Sequence, residues 1–328
     1  MRIAVLGAGS WGTALAILLA EGGHEVTLWG RDGLEELRVR RENRRYLPGR
    51  RLPEAIDVTG DLEAASAGSD LVVMALPSAS VRSVARAASP AVPRGSTVVC
   101  ASKGLEEKSC LTLDRVIAEV VPQSPVVLLS GPTFALEIAA GLPAAAVAAS
   151  TDLAAAALVQ GTFAGGRLRV YTTEDVVGVA IGGALKNVIA IAAGCCDGLG
   201  FGSNARAALV TRGLHEIGRL ATRMGGNPLT LAGLAGLGDL VLTCTGELSR
   251  NRKVGLALAA GEPLPAIAAR LGQVAEGVQT ALLGDQLARK LGVAMPITTQ
   301  VAALVSGRRS PRDAVADLLS REQGPERG

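Results

Sequence analysis

The sequence predicts a two-domain chain in which a parallel α/β sheet is followed by an all-helical domain. The length of 328 residues is about twice that of a typical domain. The first half alternates short, continuously apolar runs with longer helical patterns, which is typical of a parallel sheet covered on both faces. After Thr173 the strand signals stop, and helical patterns broken by glycine-rich turns continue to the end. We therefore predict domains of residues 1–178 and 179–328.

Seven apolar runs in the first half have the length and composition of strands. They cover residues 2–6, 25–29, 70–75, 97–101, 126–130, 144–149 and 168–172. Helical patterns lie between them, beginning near Gly12, Gly33, Ser78, Leu111, Phe134 and Asp152. Strand followed by helix, repeated, predicts a doubly wound sheet.

Charge and cysteine content exclude several classes of protein. The 33 basic and 30 acidic residues are spread along the chain, without the basic face of a nucleic-acid-binding protein. The apolar N-terminal run is too short for a signal peptide, and five cysteines without a CxxC pair predict reduced thiols. We expect a cytoplasmic protein with no metal site and no nucleic-acid partner.

Lys186 is the only ionisable residue in the apolar run 176–194. Nineteen residues of this hydrophobicity would suggest a membrane span, which stays open as an alternative. The central Lys-Asn pair and the glycines at 178, 182 and 183 instead favour a buried helix between the domains. Because the chain has only two histidines, an enzyme that moves protons would need a lysine or a carboxylate.

Gly7, Gly9 and Gly12 form a GxGxxG motif between the first strand and the first helix. Glycines at these positions permit a tight turn and let a pyrophosphate approach the free N–H groups of the helix. The motif predicts a Rossmann-type dinucleotide site, against the alternative of a turn needed only for packing. The next strand ends in Arg31-Asp32, where the arginine favours NADP with NAD tolerated and an exposed ion pair is the alternative.

Three loops follow predicted strands at the edge where ligands bind in open α/β sheets. Lys103 lies between a buried strand and a glycine, which suits a cation that projects into a cleft, although a solvated loop lysine fits too. Ser130-Gly131-Pro132-Thr133 offers hydroxyls and free N–H groups at a helix start, for an anion or simply for capping. Ala75-Leu76-Pro77-Ser78 lies at the same edge.

The helical half contains a second set of polar residues. Asp239 is embedded in an apolar stretch, and residues 249–252 read Ser-Arg-Asn-Arg. Arginine in such a turn suits bidentate phosphate binding, whereas the alternative is a charged helix start at the surface.

The assembled motifs closely resemble the bacterial-type NAD(P)-dependent glycerol-3-phosphate dehydrogenases over nearly the whole chain. The matching blocks include GAGSWGTALA, NRRYLPG, SKGLE, SGPTFALEIA, GGALKNVIAIAAG, GLAGLGDLVLTCTG, LSRNR and AEGVQTA. The resemblance implies NADPH-dependent reduction of dihydroxyacetone phosphate to sn-glycerol 3-phosphate for phospholipid synthesis, with NADH also accepted. It also implies a Rossmann domain followed by an all-helical domain like that of 6-phosphogluconate dehydrogenase. A homodimer without a membrane span is a further expectation.

The resemblance also implies roles for individual residues. Lys186 matches the catalytic lysine. The positions that match substrate contacts are Lys103, Gly131, Thr133, Lys186, Asp239, Ser249, Arg250 and Asn251. The positions that match cofactor contacts, beside Gly7, Gly9 and Gly12, are Ser10, Trp11, Arg31, Lys103, Ala135, Arg250, Val274 and Glu276.

Elementary chemistry agrees with a lysine in the catalytic position. Hydride transfer to a carbonyl carbon creates an alkoxide, which needs a proton and a nearby positive charge. Burial would lower the pKa of Lys186, and Asp239 or the substrate phosphate would oppose that shift. Reduction of another keto acid or sugar phosphate, or nucleotide sensing without catalysis, stays open from the residues alone.

Overall fold

The structure, a computed structural model, describes residues 1–164, 167–272 and 275–320. One sheet of eight strands occupies the N-terminal half, in the order β3-β2-β1-β4-β5-β6-β7-β8. The strands are β1 (Arg2–Leu6), β2 (Glu25–Trp29), β3 (Ile56–Thr59), β4 (Leu71–Met74), β5 (Thr97–Cys100), β6 (Val126–Ser130), β7 (Ala144–Ala149) and β8 (Leu168–Thr173). The first six strands are parallel in the doubly wound order of dinucleotide-binding domains, as predicted.

The sheet departs from the prediction at β7, which runs antiparallel to β6 with Leu128 opposite Ala149. The connection between these strands contains only a five-residue helix, α6 (Ala135–Ala139). Such a helix spans about 7.5 Å, which is shorter than a five-residue strand of about 17 Å, so it does not return the chain to the opposite edge. The chain therefore re-enters the sheet from the edge that it left.

A short edge strand and a short helix were not predicted. β3 has four residues, of which only Ile56 is buried, so its sequence lacks a continuous apolar run. The five-residue helix α3 (Leu62–Ser66) follows it. The other helices of this half are α1 (Ser10–Glu21), α2 (Leu34–Arg40), α4 (Ser78–Ala88), α5 (Leu113–Val120) and α7 (Leu153–Phe163).

Beyond β8 the described residues form helices without further strands in the sheet. They are α8 (Val176–Gly198), α9 (Gly202–Arg223), α10 (Pro228–Leu231), a π-helical turn (Leu234–Gly238), α11 (Asp239–Thr245), α12 (Arg250–Ala259), α13 (Leu264–Leu271), α14 (Glu276–Leu291), α15 (Pro296–Val305) and α16 (Pro311–Leu319). The predicted boundary at residue 178 falls in the first turn of α8, and that division stays a prediction.

The apolar helix α8 is the central helix of this half, and α9, α11, α12 and α14 pack around it. Two segments, α8 and Pro228–Thr245, are long and apolar enough to cross a membrane by length and composition alone. The most apolar window of α8 is 78% buried inside the protein. This burial identifies α8 as a core helix, which agrees with the expectation drawn from its glycines and its Lys-Asn pair.

Asp175 and three glycines bring α8 close to its neighbours. Asp175 caps the helix by accepting a hydrogen bond from the Gly178 N–H (2.8 Å), and its second oxygen accepts from the Asn227 N–H (2.9 Å). A Cβ at Gly182 would lie 2.8 Å from the carbonyl oxygen of Ala235, and one at Gly183 would lie 2.8 Å from Ser130 Oγ. The glycines thus let α8 approach both the π-helical turn and the end of β6, one turn before Lys186.

Candidate active site

The glycine loop has the geometry of an anion site. Gly7 has φ +123°, and a Cβ there would lie 2.3 Å from the Ala75 carbonyl oxygen. A Cβ at Gly12 would collide with the Gly7 carbonyl oxygen, so both glycines are required by packing. Gly9 has nothing within 4 Å of its Cβ position, and α1 begins there without a side-chain cap. Open space beside the first N–H groups of a helix is what a pyrophosphate needs.

The side chain of Asn43 holds this loop in place through hydrogen bonds. Its Nδ2 donates to the Ala8 carbonyl oxygen (2.9 Å) and to Thr13 Oγ1 (2.8 Å), and the side chain is buried. Ser10 Oγ donates to the Tyr46 carbonyl oxygen (2.6 Å). The segment that follows α2 therefore holds the glycine loop in place, a role that the sequence blocks did not reveal.

Three more of the predicted cofactor positions, Trp11, Ala135 and Arg31, lie in or near the elements that flank this loop. Trp11 is in the first turn of α1, and its Nε1 is buried with no partner among the described residues. Ala135 is the first residue of α6, which packs against α1. Arg31 is exposed just beyond the end of β2. Val274 lies outside the described residues.

Lys186 and Lys103 share one carboxylate. Lys186 Nζ contacts Asp239 Oδ1 and also donates to Thr243 Oγ1 (3.0 Å). Lys103 Nζ donates to Asp239 Oδ2 (2.7 Å) and to the Gly131 carbonyl oxygen (3.1 Å). The exposed fractions of Lys186 and Asp239 are 7% and 1%. The structure thus brings the predicted catalytic lysine, the loop lysine after β5 and the embedded aspartate of α11 into one group.

Burial determines the proton affinity of Lys186. Desolvation by burial is the largest effect on the pKa of Lys186; the Asp239 carboxylate opposes it, the nearby charge of Lys103 adds to it, and together these effects lower the pKa to about 7. The net direction could not be read from the sequence. A lysine with this pKa can both give and take a proton near neutral pH.

The turn after β6 lies beside the two lysines. Gly131 has φ +136°, and a Cβ there would lie 3.0 Å from the Ala145 carbonyl oxygen. Its own carbonyl oxygen accepts from Lys103 Nζ and from Thr133 Oγ1 (3.1 Å). No side-chain cap is present at the start of α6, so the predicted capping alternative does not describe this turn. Gly131 and Thr133 therefore belong to the same group as Lys103.

Residues 249–251 lie at the start of α12, where Ser249 Oγ caps the helix by accepting from the Arg252 N–H (3.2 Å). Asn251 is buried; its Nδ2 donates to Asn187 Oδ1 (2.9 Å) and its Oδ1 accepts from the Gly277 N–H (3.0 Å). Arg250 is exposed. Since Asn187 directly follows Lys186, this turn is tied to α8 beside Lys186.

Glu276 begins α14 and reaches across to the N-terminal half. Its Oε2 accepts from Ser78 Oγ (2.7 Å), and its Oε1 accepts from the Ser78 N–H (3.2 Å). Burial raises the pKa of Glu276, while these hydrogen bonds and the charge of Arg250 oppose the rise. The short motif around Glu276 was not diagnostic by itself, and its partner 198 residues away was not foreseen.

Thr243 and Asn187 contact the predicted site residues but were not predicted as members of the site. Thr243 lies one helical turn after Asp239 and donates to its carbonyl oxygen (2.6 Å). Spacing of four residues on a helix places two side chains on one face, and this signal in DLVLT could have indicated Thr243. Asn187 was noticed as the polar neighbour of Lys186 in an apolar run, but its contact with Asn251 was not foreseen.

Comparison with known proteins gives a consistent result. The profile of the NAD-dependent glycerol-3-phosphate dehydrogenase N-terminus matches residues 2–156, and the profile of the C-terminus of the same family matches residues 175–316. A glycerol-3-phosphate dehydrogenase [NAD(P)+] of Anaeromyxobacter sp. (strain K) is 51% identical, covering 99% of this chain and 100% of the relative. The protein of that name from Geobacter metallireducens is also 51% identical, covering 100% and 99%. The crystal structure of glycerol-3-phosphate dehydrogenase from Coxiella burnetii superposes with a TM-score of 0.94 at 42% identity, covering 98% and 99%.

Proposed function

Because this chain belongs to the NAD-dependent glycerol-3-phosphate dehydrogenase family, we propose that Lys186 is the acid–base residue of its reaction. The chain catalyses the reversible, NAD(P)H-dependent reduction of dihydroxyacetone phosphate to sn-glycerol 3-phosphate. One observation supports this role most directly. Lys186 and Lys103 both contact the buried carboxylate of Asp239, next to the turn after β6. This arrangement holds the two amines close together, so that both can contact the carbonyl oxygen of a bound substrate.

The residues of the glycine loop fit a dinucleotide. The open space at Gly9, the uncapped start of α1 and the positive φ of Gly7 are what a pyrophosphate requires. When bound, the reduced nicotinamide supplies a hydride to the substrate carbonyl carbon. We assign this binding to Gly7, Gly9, Ser10, Trp11, Gly12, Arg31, Lys103, Ala135, Arg250, Val274 and Glu276.

Lys186 provides the proton and Lys103 the supporting charge. As C2 is reduced, negative charge develops on its oxygen, and a buried ammonium stabilises that charge more strongly than water would. Lys186 then transfers its proton to the oxygen, which gives the hydroxyl of sn-glycerol 3-phosphate. Asp239 keeps Lys186 and Lys103 close together despite their like charges, and Thr243 restricts the position of Lys186 Nζ. In the oxidation of sn-glycerol 3-phosphate the same amine, neutral, takes the proton back.

The substrate phosphate is assigned to the start of α12. Ser249, Arg250 and Asn251 combine a helix N-terminus with a guanidinium, and both favour a phosphate dianion. Gly131 and Thr133 contact the substrate from the other half of the chain. The phosphate would thus lie at one end of the substrate and the lysine pair at the other.

The cofactor preference is assigned to Arg31, which lies just after the end of β2. Arg31 is exposed there and can pair with a 2′-phosphate, which supports NADPH as the preferred cofactor with NADH accepted.

The decisive experiment measures initial rates with dihydroxyacetone phosphate, ketopantoate and a sugar phosphate, each with NADPH and NADH. Turnover of dihydroxyacetone phosphate alone, faster with NADPH, is expected; an equal rate with ketopantoate would overturn the substrate assignment.

Three further features are part of the proposal. The domains are residues 1–178, which bind the cofactor, and 179–328, which bind most of the substrate. A homodimer is supported by a broad, largely apolar groove between α9, α15 and α16, in which Phe201 is 44% exposed. Cytoplasmic localisation is supported by the five free cysteines, four of them buried. Light scattering of the purified protein and fractionation of cells test the last two features.

A further inference from the structure

Ser78 forms the one described contact between the first turn of α4 and Glu276 at the start of α14. The Ser78 hydroxyl donates to Glu276 Oε2 (2.7 Å), and the Ser78 N–H donates to Oε1 (3.2 Å). Hydrogen bonds to an ionised acceptor are about twice as strong as neutral ones. Two such bonds from one residue fix both the position and the plane of the carboxylate.

The local sequence makes the start of α4 available to a carboxylate from elsewhere. Pro77 precedes Ser78 at the N-cap position and offers no side-chain cap to the helix. The free N–H groups of the first turn therefore need an acceptor from another part of the molecule. Ser78 is buried, with an exposed fraction of 6%, so water has little access to this contact.

Gly104 keeps the space around the contact open. It has φ +137°, and a Cβ there would lie 3.1 Å from Ser78 Cβ and 3.7 Å from Glu276 Oε2. Any side chain at this position would press against the pair. Gly104 directly follows Lys103, so the pair lies beside a residue of the lysine–aspartate group.

The backbone directly after Glu276 is held by a separate hydrogen bond to the helical half. Gly277 donates its N–H to Asn251 Oδ1 (3.0 Å), which ties the start of α14 to the turn of α12. A carboxylate has about four acceptor sites on its two oxygens, and Ser78 occupies two of them. The remaining lone pairs can accept from an N–H donor, such as the primary amide of a nicotinamide ring.

We propose that Ser78 is a positioning residue for the cofactor, which holds the Glu276 carboxylate across the domain interface in the orientation that accepts an amide donor. The inference rests on the proposed assignment of Glu276 as a cofactor contact. Ser78 itself needs no contact with the cofactor. Its effect is therefore expected on cofactor affinity and not on the chemical step.

The test compares the Kd of NADPH, from fluorescence titration without substrate, in the wild-type protein, Ser78→Ala, Ser78→Thr and Ser83→Ala. Ser83 is exposed on the same helix and serves as the matched control. Loss of one hydrogen bond to a charged acceptor is expected to raise the Kd about tenfold in Ser78→Ala. Ser78→Thr keeps the hydroxyl and is expected to keep most of the affinity, and Ser83→Ala is expected to match wild type.

Steady-state kinetics separate positioning from a general structural defect. Ser78→Ala is expected to raise KM for NADPH while kcat and KM for dihydroxyacetone phosphate stay within about twofold of wild type. An unchanged Kd for NADPH in Ser78→Ala, or equal losses in both KM values, would overturn the proposal.

Glu276→Ala distinguishes failure of the inference from failure of its premise. Weakened NADPH binding in Glu276→Ala together with normal binding in Ser78→Ala overturns the role of Ser78 alone. Normal binding in Glu276→Ala overturns the assignment of Glu276 as a cofactor contact, and the role of Ser78 with it. Because the titration needs no turnover, neither result depends on the identity of the carbonyl substrate.

Discussion

Lys103 and Lys186 would repel each other if Asp239 did not lie between them. The two lysines come from the end of β5 and the middle of α8, and the aspartate begins α11. Lys186 and Asp239 were predicted because each is a charge in an apolar stretch, and Lys103 because it lies between a buried strand and a glycine. Their mutual contact could not be predicted from spacing, since 136 residues separate Lys103 from Asp239. The family resemblance supplied that grouping, and the structure gives its geometry.

The pH dependence of the two reaction directions should be opposite. Burial holds the pKa of Lys186 near 7, so the amine is protonated below this pH and neutral above it. In the proposed mechanism, reduction of dihydroxyacetone phosphate needs the protonated form, so its kcat/KM should fall as pH rises through about 7. Oxidation of sn-glycerol 3-phosphate needs the neutral form, and its kcat/KM should rise over the same interval.

The measurement is kcat/KM in both directions from about pH 6 to about pH 9 at constant ionic strength. Lys186→Ala should lose most turnover while still binding NADPH, and its remaining kcat/KM should show neither the fall for reduction nor the rise for oxidation. Lys253→Ala, which changes an exposed lysine of α12, provides the control. Parallel pH profiles for the two directions would contradict the acid–base role.

Asp239→Asn should keep the shape of the site and remove its shared charge. The two amines would then repel each other directly, and the pKa of Lys186 would fall further. We expect kcat for reduction at neutral pH to drop by about 10²-fold or more, because the proton donor is both depleted and misplaced. The fold should survive, since Lys186 can release its proton.

Steady-state rates and circular dichroism of Asp239→Asn test this expectation, with Asp57→Asn on the exposed side of β3 as the control. A rate within about threefold of wild type would show that Lys186 needs no counter-charge.

At the scale of elements, the patterns predicted which segments become strands better than they predicted how the strands are arranged. The runs at β1, β4, β5 and β6 are apolar and buried, and each was recognised. The direction of β7 was not, because apolar residues look the same in a parallel and an antiparallel strand. β3 was missed because an edge strand with one buried residue has no continuous apolar run.

The crossing of α8 and α12 depends on two glycines. A Cβ at Gly194 of α8 would lie 2.1 Å from the Arg252 carbonyl oxygen, and a Cβ at Gly255 of α12 would lie 2.0 Å from that of Ile191. Gly255→Ala should therefore push the helices apart and lower the free energy of unfolding by about 1–3 kcal/mol. Since α12 begins at the proposed phosphate turn, KM for dihydroxyacetone phosphate should also rise.

Gly218→Ala is the matched control for Gly255→Ala. Gly218 lies inside α9, with nothing within 4 Å of its Cβ position, so alanine should raise stability by about 0.5–1 kcal/mol. Denaturant unfolding should give shifts of opposite sign for the two substitutions. A stabilised Gly255→Ala variant would contradict the close helix crossing.

At the scale of the whole molecule, the proposed site takes its residues from both halves of the chain. Lys103, Gly131 and Thr133 come from the loops of the sheet, whereas Lys186, Asp239 and the turn at 249–251 come from the helical half. Among the described residues, polar links between the halves at the site include Lys103 with Asp239 and Ser78 with Glu276. A substrate held by both halves should stabilise their association.

Binding of sn-glycerol 3-phosphate should therefore stabilise the protein in a way that depends on Lys103. A ligand at 100 times its Kd that binds only the folded state adds about 2.7 kcal/mol to the free energy of unfolding. Lys103→Ala removes the contact from the sheet side, so the ligand concentration that saturates the wild-type protein should raise its unfolding midpoint much less. Lys108→Ala, an exposed lysine of the same segment, should show the full wild-type shift. If Lys103→Ala also showed the full shift, the helical half alone would hold the substrate, and Lys103 would serve only the reaction.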